Sequence, residues 1–297
     1  MDLRQLETFR CVARLGSFTQ AAHQLNTTQS NVSLRIADLE RDLGVELLDR
    51  SRRQVRVTAK GRDLLRYAAE IALLVDELQM TVGNPRSISG SLRICAAELI
   101  ALTWLPALIA DLAKRYPRLE IDLEVGLSGD VPDRLRNGAI DIAFVPLAEQ
   151  PEPDIAAEVL STIRFGYHCA PDFEMRAGPL SPDDFRALSV ISLGPGSTIS
   201  SIEQRWLGQA SRQPQHLQRS NSMEISAGLI RSGLGVGLLP IDFYRDESRN
   251  GRLQVLQVDP PIPLIPFYAL HLAAGAPPII DTIKAMAREA SADPWTR

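Results

Sequence analysis

Apolar positions in the first 45 residues recur at helical spacing. Leu3, Leu6, Phe9, Val12 and Ala13 share one side of a helix over residues 2–15, which Gly16 ends. "SFTQAAHQL" starts a short second helix, with Ser17 or Thr19 as its N-cap. A third helix over residues 28–43 carries the stripe Val32, Ile36, Leu39 and Leu43, and Gly44 stops it. Its first turns hold Thr27, Thr28, Gln29, Ser30, Asn31 and Ser33, small polar groups with no place in a core. Two helices joined by a tight turn, the second with a polar start, form a helix-turn-helix pattern.

The pattern then changes. Around "ELLDRSRRQVRVTAKG" two short extended pieces flank a turn at Arg50–Arg53, a β-wing with a basic tip. A long helix follows over residues 58–80. Leu64, Ala68, Ile71, Val75 and Leu78 repeat along it at heptad spacing, which asks for a partner such as a second copy of the helix. "GNPRSISGS" (83–91) reads as a linker, rich in Gly, Pro and Ser. Beyond it strands and helices alternate. "SLRICAA", "LEIDLEVG" and "DIAFVP" read as strands, separated by the helices "LTWLPALIADLAKRYP" and "VPDRLRNGA". The alternation restarts near "STIRFGYHCA" (161–170) and closes with "FYALHLA" and "PPIIDTIKAMAREA". Such βαβ order predicts mostly parallel sheets flanked by helices, in two lobes with a cleft between them. The predicted domains are 1–58, a helix and hinge over 59–90, and a two-lobed 91–297. Lobe I takes about 91–160 and 265–297, and lobe II about 161–264.

Charge sharpens this division. The net charge is −4. Residues 1–62 hold eleven Lys/Arg against seven Asp/Glu, so 11 − 7 = +4 there and −8 over the remainder. The segment 50–62 has six positive charges and no negative one. A basic segment on an acidic chain points to a local anionic partner, although a charge run alone is as readily a solvated loop. Hydrophobic content of 45% and charged content of 23% are those of a globular chain. No apolar run reaches the roughly 18 residues of a membrane span. The N-terminus alternates apolar with charged residues, unlike a secretory signal. Three scattered cysteines, Cys11, Cys95 and Cys169, suggest neither a disulfide framework nor a zinc site. A cytoplasmic location is expected, with no metal, no cofactor and no membrane partner.

The polar start of the third helix has the chemistry for reading DNA. Thr28 can cap it, and its free amides favour a phosphate. Gln29 can contact adenine bidentately, Ser33 can bond several base edges, and Leu34 can pack on a thymine methyl. An ordinary capped bundle helix would look similar in isolation. The preceding short helix, the basic wing and the long helix together turn the balance towards DNA. Enzyme signatures are missing: there is no GxxxxGK[ST], HExxH or GxSxG.

Residues 1–90, through "LETFRCVARLGSFTQAAHQLNTTQSNVSLRIADLERDLGVELLDRSRRQVRVTAKG", resemble the N-terminus of LysR-type transcriptional regulators. "LPALIADLAKRYPRLEIDLEVG", "LRNGAIDIAFVP" and "GLIRSGLGVGLLP" resemble that family's effector domain. The resemblance implies a winged helix-turn-helix, a dimerisation helix and a two-lobed α/β domain like periplasmic binding proteins. It implies that Gln29, Ser30, Asn31, Ser33 and Arg35 face the major groove, that Arg50, Arg52 and Arg53 lie along phosphates or reach the minor groove, and that Thr19 holds the second helix near the DNA backbone. Promoter DNA, a small-molecule effector and further copies of the chain, as homodimer or homotetramer, are the implied partners, with RNA polymerase as another candidate.

Ligands of open α/β sheets sit outside the carboxyl ends of strands. That rule selects Ala97, Glu98 and Leu99, then Ser128 and Gly129 in "GLSGD", Pro146, Gly196, Ser197 and Thr198 in "LGPGSTIS", and Met223. Many members of the family place a hydroxyl at the first of these positions to bind an effector carboxylate. Here an acid, Glu98, stands instead, which points to a neutral or amine-bearing ligand, unless Glu98 faces solvent. Peroxide-sensing members carry a cysteine pair in the second lobe, where this chain has Cys169 alone. A solute-binding protein or enzyme built on 90–297 would leave the first 90 residues without a purpose, and a nucleoid protein of low specificity would not need the two lobes.

Overall fold

A computed structural model describes residues 1–49, 55–82, 88–173, 178–210, 214 and 216–292. The chain forms two compact units, Met1–Gly83 and Asn84–Arg297.

The first unit is built from α1 (Leu3–Leu15), α2 (Phe18–Gln24) and α3 (Gln29–Leu43), a small hairpin of β1 (Leu48–Asp49) and β2 (Arg56–Val57), and α4 (Ala59–Val82). Each start has a local cause. Asp2 and Gln5 form a reciprocal capping box on α1, and the Ser17 hydroxyl accepts from Gln20 N on α2. Ser17, not Thr19, is therefore the cap; Thr19 is exposed inside the first turn. Thr28 caps α3 by accepting from Asn31 N at 3.2 Å. Gly16 and Gly44 end α1 and α3 in the left-handed conformation that glycine adopts without steric cost. Phe9, Val12, Ala21, Ala22, Val32, Ile36 and Leu39 make the core. Leu43 does not join its stripe: it lies in the last turn, 40% exposed.

The heptad reading of α4 needs correcting. Ala68 is buried in the core of this same unit, and Leu64, Leu65 and Ile71 pack against that core. Among the described residues of this helix the large apolar positions left open are Tyr67, Leu74 and Leu78, the last two 64% and 62% exposed. With Ile71 they too step by four, three and four. The seam available to a partner is thus rotated from the predicted one, because the first turns of the helix already have neighbours. The predicted wing tip, Arg50, Arg52 and Arg53, lies outside the described residues. The flanking pairs Leu48↔Val57 and Asp49↔Arg56 are antiparallel.

The second unit begins with β3 (Ser89–Ala96), earlier than the predicted linker allowed. It continues with α5 (Glu98–Leu102), α6 (Leu105–Arg115), β4 (Arg118–Val125), α7 (Val131–Arg136), β5 (Ile142–Pro146) and β6 (Ile155–Ile163). Lobe II follows: β7 (Phe165–Cys169), β8 (Ser189–Leu193), α8 (Thr198–Leu207), β9 (His216–Ser220), α9 (Met223–Arg231), β10 (Val236–Pro240), α10 (Arg245–Arg249) and β11 (Gln254–Val255). The chain then returns to lobe I through β12 (Ile265–Leu272) and α11 (Ile279–Ser291). The predicted single helix after β3 starts only at Leu105, since Pro106 lacks an N–H and fits the first turn alone.

Lobe I has the strand order β4-β3-β5-β12-β6, and lobe II β11-β7-β10-β8-β9. Both sheets are mixed, not mostly parallel. In lobe I, β12 runs antiparallel to β5 and β6; in lobe II, β7 runs antiparallel to β10 and β11. β6 also carries the lobe boundary past the predicted residue 160, because its pairing partner lies about a hundred residues later in the chain. Fully buried runs such as "IAFVP" and "VGLLP" belong to central strands covered on both faces. Among the described residues no helix is long and apolar enough to cross a membrane.

Candidate functional site

On the first unit, Thr19, Thr28, Gln29, Ser30, Asn31 and Leu34 are all exposed. Ser30 and Leu34 stand one turn apart and stack on one face of α3. Leu34 is 58% exposed, a large apolar side chain beside polar neighbours. Asn31 is braced, its amide donating to Thr27 Oγ1 at 3.2 Å. Arg35 is tied inward: it is half-buried and donates to the Thr8 hydroxyl at 3.4 Å. Ser33 is likewise half-buried. The fully open positions in the first turns of α3 are therefore Gln29, Ser30, Asn31 and Leu34, with Thr28 at its tip.

The second unit holds a cavity of about 180 Å³ between its lobes. Seven of the ten residues selected from sequence line it: Ala97, Glu98, Leu99, Ser128, Pro146, Ser197 and Met223. Gly129, Gly196 and Thr198 do not; they join the lobes. Gly129 N donates to Gly196 O at 2.8 Å. A Cβ on Gly129 would meet that carbonyl oxygen at 2.8 Å, and Gly196 has a φ of +92°, so two glycines let the lobes touch backbone to backbone. Thr198 completes a chain of hydroxyls. Its backbone N donates to Ser128 Oγ at 2.9 Å and its own hydroxyl donates to Pro146 O at 3.1 Å. Thr198 has one hydroxyl proton, so across the 2.7 Å separation Ser128 must donate to Thr198 Oγ1.

Glu98 does not face solvent. Its carboxylate accepts from Ser222 Oγ at 2.7 Å, from Met223 N, and from Glu224 N at 3.4 Å. An acid from lobe I thus sits on the first amides of α9 in lobe II, where the helix dipole favours negative charge. That charge is already compensated, which removes the reason for expecting a ligand amine at Glu98.

The apolar wall is made by Val125, Leu127, Phe165, Leu193, Ile199 and Phe267. Leu127, Leu193 and Ile199 fall within the selected segments "GLSGD" and "LGPGSTIS", whereas sequence reasoning missed Val125, Phe165 and Phe267. Val125 ends a parallel strand, so the strand-end rule could have found it. Phe165 and Phe267 lie near the starts of antiparallel strands. Their register partners are Pro240 and Pro146, the last residues of β10 and β5, which brings strand beginnings to the same edge. Only the pairing direction reveals that. The three thiols are buried and each is pushed up by that burial, Cys95 and Cys11 despite a nearby arginine, so all are poor thiolates. Among the described residues no three His, Cys, Asp or Glu side chains converge on a metal geometry.

Comparison with known proteins bears on both units. Residues 3–62 match the model of the bacterial regulatory helix-turn-helix protein, lysR family, and residues 85–292 match the LysR substrate binding domain. The chain belongs to the LysR family of transcriptional regulators. An HTH-type transcriptional regulator CzcR of Bacillus cereus is 29% identical over 259 residues, 85% of each chain. Two solved structures share the fold of this LysR-type regulator. ArgP from Mycobacterium tuberculosis has a TM-score of 0.71 at 24% identity, covering 98% of this chain and 97% of its own. Full-length LysG from Corynebacterium glutamicum with bound effector Arg has a TM-score of 0.66 at 24% identity, covering 99% of each.

Proposed function

We propose that this LysR-type regulator binds promoter DNA through α3 and its wing, and that a small molecule held between the lobes of the second unit controls that binding or its outcome. The observation that carries the effector half is the inter-lobe cavity itself. Loops from both lobes line it, and Ser128, Thr198, Gly129, Gly196 and Glu98 bridge the lobes around it. A ligand whose affinity differs between lobe arrangements shifts their populations. A void of about 150 Å³ accommodates one benzene, so about 180 Å³ suits a molecule of one ring or a short chain. Its surroundings are largely apolar, with Ser197 and Asn221 as polar contacts, and the anion seat on α9 is taken by Glu98. An effector with an apolar body and uncharged or basic polar groups fits better than a simple carboxylate. LysG, which shares the fold, has Arg as its bound effector, and a basic group on the effector here is consistent with that.

In the DNA half, Gln29, Ser30, Asn31 and Leu34 read base edges, Thr28 and Thr19 lie near phosphates, and Arg35 steadies α3 from behind. Footprinting on the regulator's own upstream region, at controlled salt and with a metabolite library, tests both halves. Two separated protected patches, altered by one metabolite, are expected; protection no better than on random DNA at any salt would end the reading. Gln29→Ala is expected to weaken cognate binding by roughly 1–3 kcal/mol while sparing random DNA.

A further inference from the structure

Beneath the inter-lobe cavity, lobe II contains a second, much smaller recess of about 10 Å³. Its walls are apolar residues, Ser226 and the carboxyl of Glu203. Leu193, Ile199 and Met223 line both spaces, so the recess and the cavity share a wall. Glu203 stands in the middle of α8, 1% exposed. Its Oε1 meets no donor at hydrogen-bond geometry among the described residues, and the Tyr167 hydroxyl, close enough to act on the same carboxyl, is buried without a partner as well. A buried acceptor left without a donor is costly and uncommon in folded proteins. Burial pushes this carboxyl up to about 7, against the opposing pull of the Ser192 and Tyr167 hydroxyls. Ser226 donates its own proton to Ser222 O at 2.9 Å, which leaves the lone pairs of its oxygen for a donor. Two acceptors therefore line a space close to the size of one non-hydrogen atom. Met223, unbranched and adaptable, is the wall most easily moved.

We propose that this recess is an amine subsite: the amino group of the effector passes Met223 and donates to Glu203 and Ser226 Oγ, while its apolar body fills the inter-lobe cavity. The proposal rests on the effector reading above and names its chemical class. An ammonium brings three donors and a compensating charge, which a hydroxyl of the same size does not. Glu203 lies inside a helix, away from the strand ends, so the strand-end rule passes over it.

The test uses the full chain and a matched pair of probes, n-pentylamine and 1-pentanol, titrated by thermal shift at equal ionic strength. The amine is expected to bind wild type at least tenfold more tightly than the alcohol. Glu203→Gln, nearly isosteric, is expected to bring the two to within about twofold, and its ligand-free melting curve reports in the same assay that it has folded. Val125→Trp, which fills the inter-lobe cavity, is expected to abolish binding of both. Equal binding of amine and alcohol to wild type, or an amine preference that survives in Glu203→Gln, overturns the subsite. If both probes also disappear in Val125→Trp, the cavity reading stands without it. Failure of both probes to bind wild type overturns the subsite, while the cavity reading is decided separately by the footprint with the metabolite library.

Discussion

Single residues carry the sharpest chemistry, and Glu203 is the clearest case. Its carboxyl is raised from 4.5 to about 7 by burial. Below about pH 4.5 the acid is neutral both folded and unfolded, and it does not distinguish the two states. Between 4.5 and 7 the unfolded chain releases the proton while the folded chain keeps it, so stability falls as pH rises and levels off above 7. Glu203→Gln removes this penalty, which is on the order of 3 kcal/mol at most. The variant is expected to melt above wild type by a clear margin at pH 8 and by little at pH 5; equal margins would show that the carboxyl titrates normally. Glu203 also marks a limit of sequence reading. "TISSIEQRWL" presents a glutamate in a helix, most simply a solvated one, and nothing in the local pattern says that its turn faces lobe II's core. Ser128 and Thr198, by contrast, were selected from sequence as separate ligand contacts and prove to be partners of each other, 70 residues apart.

At the scale of elements, helices with local signals were legible. The cap at Thr28, the choice of Ser17 or Thr19 for the second helix, and the stops at Gly16 and Gly44 are written within a few residues of where they act; the Asp2 cap was not read. What depends on distant partners was not. The strand β6 is recognised by β12, and the lobe boundary moves with it. The heptad on α4 is two overlapping repeats that share Ile71 and Leu78: Leu64, Ala68 and Ile71 meet the core of their own unit, while Tyr67, Leu74 and Leu78 stay open. Sequence periodicity cannot separate them, because both have the same spacing. The open repeat predicts where association occurs. Leu74→Asp places a charge in the exposed seam and is expected to lower the association state in sedimentation without lowering the helix content. Val75→Asp, on the half-buried side of the predicted seam, is expected to destabilise the unit itself. The reverse pattern would restore the original heptad.

At the scale of the molecule, one unit carries an exposed polar helix start and the other an inter-lobe cavity. That division was legible from the charge contrast and the change of periodicity near residue 83. The closure of the second unit was not, since it depends on bonds between loops far apart in sequence. Glu98 is one of those bonds. Glu98→Ala is expected to destabilise the second unit by about 1–3 kcal/mol, as Ser222 and two α9 amides lose their acceptor. Sodium acetate at equal ionic strength is expected to recover part of the melting temperature where sodium chloride does not; identical behaviour in the two salts would mean that no anion seat exists there. The same geometry bears on how new responses arise by descent. With the tethered carboxylate in place, α9 is shut to free acids. One codon change that shortens Glu98 to a small residue would vacate the Ser222 hydroxyl and the two α9 amides together, leaving a preformed seat for a carboxylate.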